Sequence, residues 1–143
     1  MSLDELSEAL PQRAAMLSRV FLSRASIQIS RTEMGVLWAL SRRSWRITEL
    51  AAREGVTQPG ITRLVNRFSE RGWVTRETDP ADGRVVLVTL TPAGTTAFER
   101  LRDEYRAVMH EEMATLPDHD VRTLAEAIEI LDRLIERLTG QEP

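Results

Sequence analysis

The fold is decided by residues 47–90, which read ITELAAREGVTQPGITRLVNRFSERGWVTRETDPADGRVVLVTL. In the middle of this stretch, apolar residues recur at i, i+3, i+4 and i+7, the spacing of one face of an α-helix. These residues are Ile61, Leu64, Val65 and Phe68. Thr57 is a good N-cap for such a helix, and Pro59 falls in its first turn, where a missing backbone N–H costs little. The pattern predicts a helix whose apolar stripe faces a core.

A second, shorter helix is predicted just before it. Thr48 can cap a helix that runs from Glu49 to about Glu54. Gly55 then supplies the positive φ that a sharp turn between two packed helices needs. These residues predict a helix-turn-helix.

Two strands are predicted after the second helix, in the apolar runs 73–75 and 85–90. The loop between them, residues 79–84, contains an Asp-Gly turn signal and is slightly longer than a tight hairpin turn. A helix-turn-helix followed by a hairpin predicts a winged helix-turn-helix, in which the hairpin is the wing.

The side of the second helix opposite the apolar stripe is polar. It carries Thr62, Arg63, Asn66 and Arg67, with Gln58 and Pro59 at the exposed N-terminal end. Arginine can bond guanine in the major groove of DNA as a fork, and Asn and Gln can do the same to adenine. This helix alone would also fit an ordinary solvated face. In its winged context, the face predicts contact with bases.

The tip of the wing combines one arginine with two acids. An exposed Arg84 beside the reading helix suits the narrow, electronegative minor groove. Asp79 and Asp82 are predicted to support the wing by capping turn amides and by holding the Arg84 guanidinium in one direction.

The run TELAAREGVTQPGITRLVNRFSERGWVTRETDPADGRVVLVTLTPAG closely resembles the MarR (multiple antibiotic resistance regulator) family. The family motifs it matches are a D-P-x-D-x-R wing and a T-x-x-G helix start, and the match covers residues 30–94. The resemblance implies that Arg84 enters the minor groove and that residues 45–48 add a short third strand against the wing. The groove-facing residues that it implies are Thr57, Gln58, Pro59, Gly60, Thr62 and Arg63. At Gly60 family members more often carry Ser or Thr, so a possible base contact is missing there.

The predicted fold class is mainly α with a small β-wing (α+β). Residues 1–29 form an N-terminal dimerisation helix, residues 30–91 the winged helix-turn-helix, and residues 92–143 the C-terminal dimerisation helices, within one compact unit overall. Pro11 either kinks the first helix or marks its start. Capping boxes are expected at Ser2-Glu5 and Ser30-Glu33, and Asp118 is expected to cap the last helix.

The terminal helices carry apolar seams at spacings of three and four, which a small protein cannot easily bury by itself. The seam residues are Leu6, Leu10, Leu17, Val121, Leu124, Ile128, Leu131, Ile135 and Leu138. They predict a homodimer, and the alternative is a monomeric bundle in which these helices pack on the long helix before them. A two-fold dimer presents two recognition helices about one DNA turn apart, roughly 34 Å, which predicts an inverted-repeat operator.

The charge of the chain is polarised. Over all 143 residues the formal charge is −3, yet residues 42–84 carry nine arginines against six acids, a net +3. This asymmetry favours double-stranded DNA approaching the predicted winged unit. No apolar run could span a membrane and no signal peptide is recognisable, so a cytoplasmic location is expected.

Catalysis is not expected. The chain has no cysteine, and its two histidines, His110 and His119, belong to no catalytic or zinc-binding pattern, so no cofactor or metal is expected. The other function considered is a winged-helix module that binds protein or RNA without operator activity. Such a module would expose apolar or aromatic residues on the second helix, where this chain has Thr, Arg and Asn.

The resemblance further implies a repressor that is released by a small aromatic or anionic ligand bound between the scaffold helices and the winged unit. The pocket expected on this basis involves Leu17, Met34, Trp38, Tyr105 and Met109. A stripe of Met and aromatic residues at helical spacing is also typical of a plain core.

Overall fold

The computed structural model of the protein describes residues 1–140. Its elements are α1 Leu3–Arg24, α2 Arg31–Arg42, β1 Trp45–Arg46, α3 Ile47–Glu54, α4 Gln58–Glu70, β2 Val74–Asp79, β3 Asp82–Leu90, α5 Pro92–Met113 and α6 Asp118–Thr139. The fold class predicted from the sequence is confirmed: the chain is mainly helical with a small antiparallel sheet. Two compact units can be distinguished, Met1–Tyr105 and a second one that begins at Arg106.

The two expected capping boxes are confirmed. At the start of α2, the backbone N–H of Ser30 donates to the Glu33 carboxylate (2.8 Å), and the N–H of Glu33 donates to Ser30 Oγ (3.1 Å). Ser2 and Glu5 make the same pair of bonds at the start of α1. Since α1 begins at Leu3 and contains Pro11, this proline lies inside the helix and does not start it.

Two other predicted caps are wrong. The helix α3 begins at Ile47, so Thr48 lies within it and Arg46 is the N-cap residue. The reason is that the Glu49 carboxylate accepts the backbone N–H of Arg46 (3.0 Å), so the helix begins directly after β1. In α6 the N-cap is Pro117, and Asp118 is the first helical residue. At this position the negative charge of Asp118 still interacts favourably with the positive end of the helix dipole.

The sheet has the order β1-β3-β2, with both pairs antiparallel. The expected third strand is present, but it is limited to Trp45 and Arg46. The wing turn is tighter than predicted, because Asp79 pairs with Asp82 and only Pro80 and Ala81 lie between the strands. The Asp-Gly pair therefore belongs to β3, where the register shifts beside it. Because of this irregularity, β3 accommodates residues 82–84, which the sequence had placed in a loop.

The hydrophobic core lies in the first unit, among α2, α3, α4, the sheet and the start of α5. The apolar stripe of α4 is buried as predicted, and Phe68 packs against Trp73 with ring centroids 5.4 Å apart. The start of α5 is anchored to the wing by Thr91, whose hydroxyl donates to the Gly72 carbonyl (2.6 Å) and accepts the Gly94 N–H (3.0 Å). Close packing at Gly94 leaves no room for a Cβ, which would overlap the Trp73 carbonyl.

The terminal helices bury little within one protomer. No residue of α1 or of α6 is buried, although both helices carry apolar stripes. On α6, Ile128 is 57% exposed and Ile135 is 40% exposed. The predicted domain boundaries fall between α1 and α2 and just before α5, and they remain predictions. Over residues 1–140, no helix is both long enough and apolar enough to cross a bilayer.

Candidate nucleic-acid interface

The exposed side of α4 is polar along its whole length. Thr57 caps the helix, with its hydroxyl accepting the Gly60 backbone N–H (3.2 Å). Gln58 and Pro59 are exposed at the N-terminal end, Thr62 is half-buried, and Arg63 is exposed one turn further on. Since the four apolar residues of the stripe are buried, this side of the helix is free to enter a groove.

Arg67 is engaged with the scaffold. Its guanidinium pairs with the Glu33 carboxylate of α2 (3.2 Å). Burial works to raise the pKa of Glu33, but the hydrogen bonds from Ser30 and Arg67 outweigh this effect and hold the pKa below its usual value. The ion pair joins α4 to α2. This contact was not predicted from the sequence, which had assigned Arg67 to base contact.

Asn66 also has a partner. Its carboxamide oxygen accepts a hydrogen bond from the Arg76 guanidinium, which extends from β2. The same guanidinium lies 3.5 Å from the hydroxyl oxygen of Ser69, one turn further along α4. Sequence reasoning missed Arg76, because nothing in the chain pattern shows that β2 passes along this edge of the helix.

The two wing acids support different arginines. Asp82 accepts from the backbone N–H of Arg84 (3.0 Å) and from its Nε (3.3 Å), as predicted. Asp79 does not hold Arg84; it accepts the Ala81 N–H (2.8 Å) and pairs with Arg46 (3.0 Å). The physical reason is the tight turn, which directs Asp79 back toward the start of α3. The Ala81 hydrogen bond, together with Arg46, keeps the pKa of Asp79 below its usual value despite its low exposure.

Arg84 is strongly exposed on the wing. Its side chain is 92% exposed, although its backbone and Nε are bonded to Asp82. A guanidinium that is oriented but still solvated can be inserted into a groove without first breaking a strong buried pair.

A cavity of about 460 Å³ lies within the first unit. Its lining includes three of the five predicted pocket residues, Met34, Trp38 and Tyr105. Leu17 is not among the lining residues, and Met109 belongs to the second unit. The sequence analysis missed two cationic lining residues, Arg31 and Arg102. The full lining is Ser18, Phe21, Leu22, Arg31, Met34, Gly35, Trp38, Arg102 and Tyr105.

Tyr105 is one of the lining residues that carry a polar group in this mostly apolar cavity. Its ring packs on Phe21 with centroids 5.5 Å apart, and its hydroxyl is buried without a hydrogen-bond partner among residues 1–140. Burial, together with the neighbouring Glu104 charge, raises the pKa of the hydroxyl. An unpaired buried hydroxyl is costly, and a ligand that accepts from it would remove that cost.

Residues 27–85 match the model of the MarR family. By this match, residues 27–85 are a MarR-family segment. The match spans α2, the helix-turn-helix and the wing tip, which are the elements of the candidate interface. In the described part of the chain, no group of three or more His, Asp or Glu side chains could hold a metal ion.

Relatives that are similar to this chain are named as transcriptional regulators. An uncharacterised HTH-type transcriptional regulator of Mycobacterium leprae is 32% identical over 87 residues, which is 61% of each chain. The chain thus spans about three fifths of that relative's length. Among solved structures, apo wild-type MarR from E. coli is 26% identical with a TM-score of 0.73, covering 92% of this chain and 97% of that one. A MarR-family regulator from Streptomyces coelicolor in complex with DNA is 26% identical with a TM-score of 0.66, covering 95% and 87%.

Proposed function

We propose that the protein is a sequence-specific transcription regulator that binds an inverted-repeat operator in double-stranded DNA as a homodimer. The observation that carries the proposal is the presence of two exposed cations in the winged unit, Arg63 on α4 and Arg84 at the start of β3. An α-helix fits the major groove, and an arginine from a neighbouring loop fits the minor groove. The net charge of +3 over residues 42–84 adds attraction to the phosphate backbone.

The homodimer is supported by the apolar faces of the two terminal helices. Neither α1 nor α6 buries a residue within one protomer, and apolar stripes of this length are normally covered. A second copy of the chain offers the same stripes, and a two-fold axis would pair them. The dimer would place two copies of α4 in successive major grooves, so it would cover about two turns of DNA. Covering a promoter in this way blocks it, and repression is therefore the proposed outcome.

The experiment that tests the proposal is selection of bound sites from random duplexes, followed by affinity measurement on the enriched site. We expect Arg63→Ala to cost about 1 to 3 kcal/mol on that site and to relax the base preference at one position. Arg122→Ala removes an equally exposed charge from α6 and is the matched control. An Arg63→Ala protein with wild-type affinity and preference would exclude Arg63 from base contact.

We further propose that a small aromatic anion binds in the cavity and releases the protein from DNA. Two guanidinium groups, Arg31 and Arg102, would attract the anion, aromatic walls would hold its ring, and the Tyr105 hydroxyl would donate to it. To act as an effector, the ligand must bind the conformation that is not competent for DNA more tightly than the competent one.

This second proposal predicts that an aromatic carboxylate such as benzoate raises the melting temperature and lowers the DNA affinity. At a ligand concentration of 100 Kd the stabilisation is about 2.7 kcal/mol. The Arg31→Gln and Tyr105→Phe variants should each reduce the shift in melting temperature, while the isosteric but uncharged benzamide should give a smaller shift with the wild-type protein. Equal shifts with benzoate and benzamide would contradict an anion site.

A further inference from the structure

We propose that Arg76 determines which base Asn66 selects, by holding the Asn66 carboxamide in one orientation. The inference rests on the proposed DNA-binding function and adds a specificity-determining residue to it. Arg76 lies on β2, outside the recognition helix, so its effect on specificity would be exerted through Asn66.

The contact fixes the direction of the carboxamide. A guanidinium has only donors, so the Asn66 atom that faces Arg76 must be the carboxamide oxygen, and the amino group must point the other way. The second nitrogen of Arg76 lies beside Ser69, which keeps the guanidinium along the edge of α4. Both Asn66 and Arg76 are exposed, so this arrangement faces the solvent, where a base edge would come.

This orientation disfavours the usual choice of an asparagine in the major groove. To bind adenine as a fork, the carboxamide oxygen must accept from the adenine N6 amino group while the amide nitrogen donates to N7. Here a charged donor already occupies that oxygen, and the adenine amino group would approach as a second donor beside a full positive charge. The oxygen keeps a second lone pair, so the adenine fork can still form, but repulsion from the guanidinium weakens it.

Guanine has the opposite pattern in the same groove. Its N7 and O6 atoms are both acceptors. The Asn66 amino group, which is turned away from Arg76, can donate to either of these acceptors, while the oxygen that adenine would need is held on the Arg76 side. The pair is therefore expected to select guanine where an unassisted asparagine would select adenine.

The test is selection of bound duplexes by four proteins: wild type, Arg76→Ala, Asn66→Ala and the double variant. With the wild-type protein we expect guanine to be enriched at one position in each half-site. In Arg76→Ala the ratio of guanine to adenine at that position should fall about tenfold or more, while the other positions keep their preferences. In the Asn66→Ala background, adding Arg76→Ala should leave the profile at that position unchanged. Arg76→Lys can still donate to the carboxamide oxygen and should retain much of the guanine preference.

Several outcomes would overturn the inference. If Arg76→Ala weakens binding equally on all sites and reduces its salt dependence, Arg76 contacts phosphate and does not set the base. An unchanged profile in Arg76→Ala, with the wild-type site still enriched, would refute the inference while leaving the proposed function intact. If the wild-type protein enriches no site, the proposed function itself is wrong and the inference falls with it. Melting temperatures of all variants, measured in parallel, should match the wild type because both side chains are exposed.

Discussion

Replacing Ile128 and Ile135 with aspartate is expected to yield a monomer of 16.2 kDa that no longer binds the operator tightly. The two residues lie seven positions apart on one face of α6 and are exposed within a protomer, so the substitution should leave the protomer folded. In a dimer they would be buried, and two carboxylates per chain at such an interface are strongly unfavourable. A monomer holds one half-site only, so the loss of affinity should be about 10² to 10⁴-fold.

Sedimentation analysis measures the mass, and titration of the enriched duplex measures the affinity. The matched control is Arg122→Asp with Arg133→Asp, which places two carboxylates on the opposite face of α6 at exposed positions. The control should remain dimeric and bind the operator. A dimeric Ile128→Asp/Ile135→Asp protein would mean that the dimer does not form through the α6 stripe.

The second large effect is expected on stability, from Gly94→Ala in the first turns of α5. The new methyl group would overlap the Trp73 carbonyl and meet the Leu90 side chain, so the helix start would have to move away from the wing. That movement would also strain the two hydrogen bonds of Thr91. Overpacking of this kind costs about 1 to 3 kcal/mol. For a protein of this size, the melting temperature should fall by roughly 3 to 10 °C.

Gly83→Ala is the matched control in thermal unfolding. Gly83 has no positive φ, and a Cβ there would meet open space. Its substitution should be neutral or stabilise the protein by up to about 1 kcal/mol, through the lower entropy of the unfolded chain. If both alanine variants melt at the wild-type temperature, the close approach of α5 to Trp73 is not a constraint on the fold.

Features that involve residues close in the chain could be predicted from the sequence. The capping boxes join residues three apart, and the stripe of α4 repeats every three or four residues, so one window of sequence contains each signal. The start of α3 could not be predicted in the same way. Glu49 caps the Arg46 N–H from three residues away, but Arg46 is also paired with Leu87 in the sheet, a contact across 41 positions. Thr48, the better N-cap by residue type, is overruled by that pairing.

The partners of the outward side chains on α4 could not be predicted from the sequence either. The helical period places three side chains, Arg63, Asn66 and Arg67, on the same face of α4. The sequence does not distinguish which of them is available to DNA. Their partners lie on other elements: Glu33 on α2 for Arg67, and Arg76 on β2 for Asn66. Which polar side chains remain available to DNA is thus decided by tertiary contacts, which a single periodicity does not contain.

The ion pair between Arg46 and Asp79 has a mechanical consequence. It fastens the tip of the hairpin to the first residue before α3, and β1 adds backbone bonds beside it. The pair opposes movement of the hairpin relative to α3 within one chain. In the proposed homodimer, a ligand would therefore affect DNA binding mainly through the separation of the two winged units, so that induction would act on spacing.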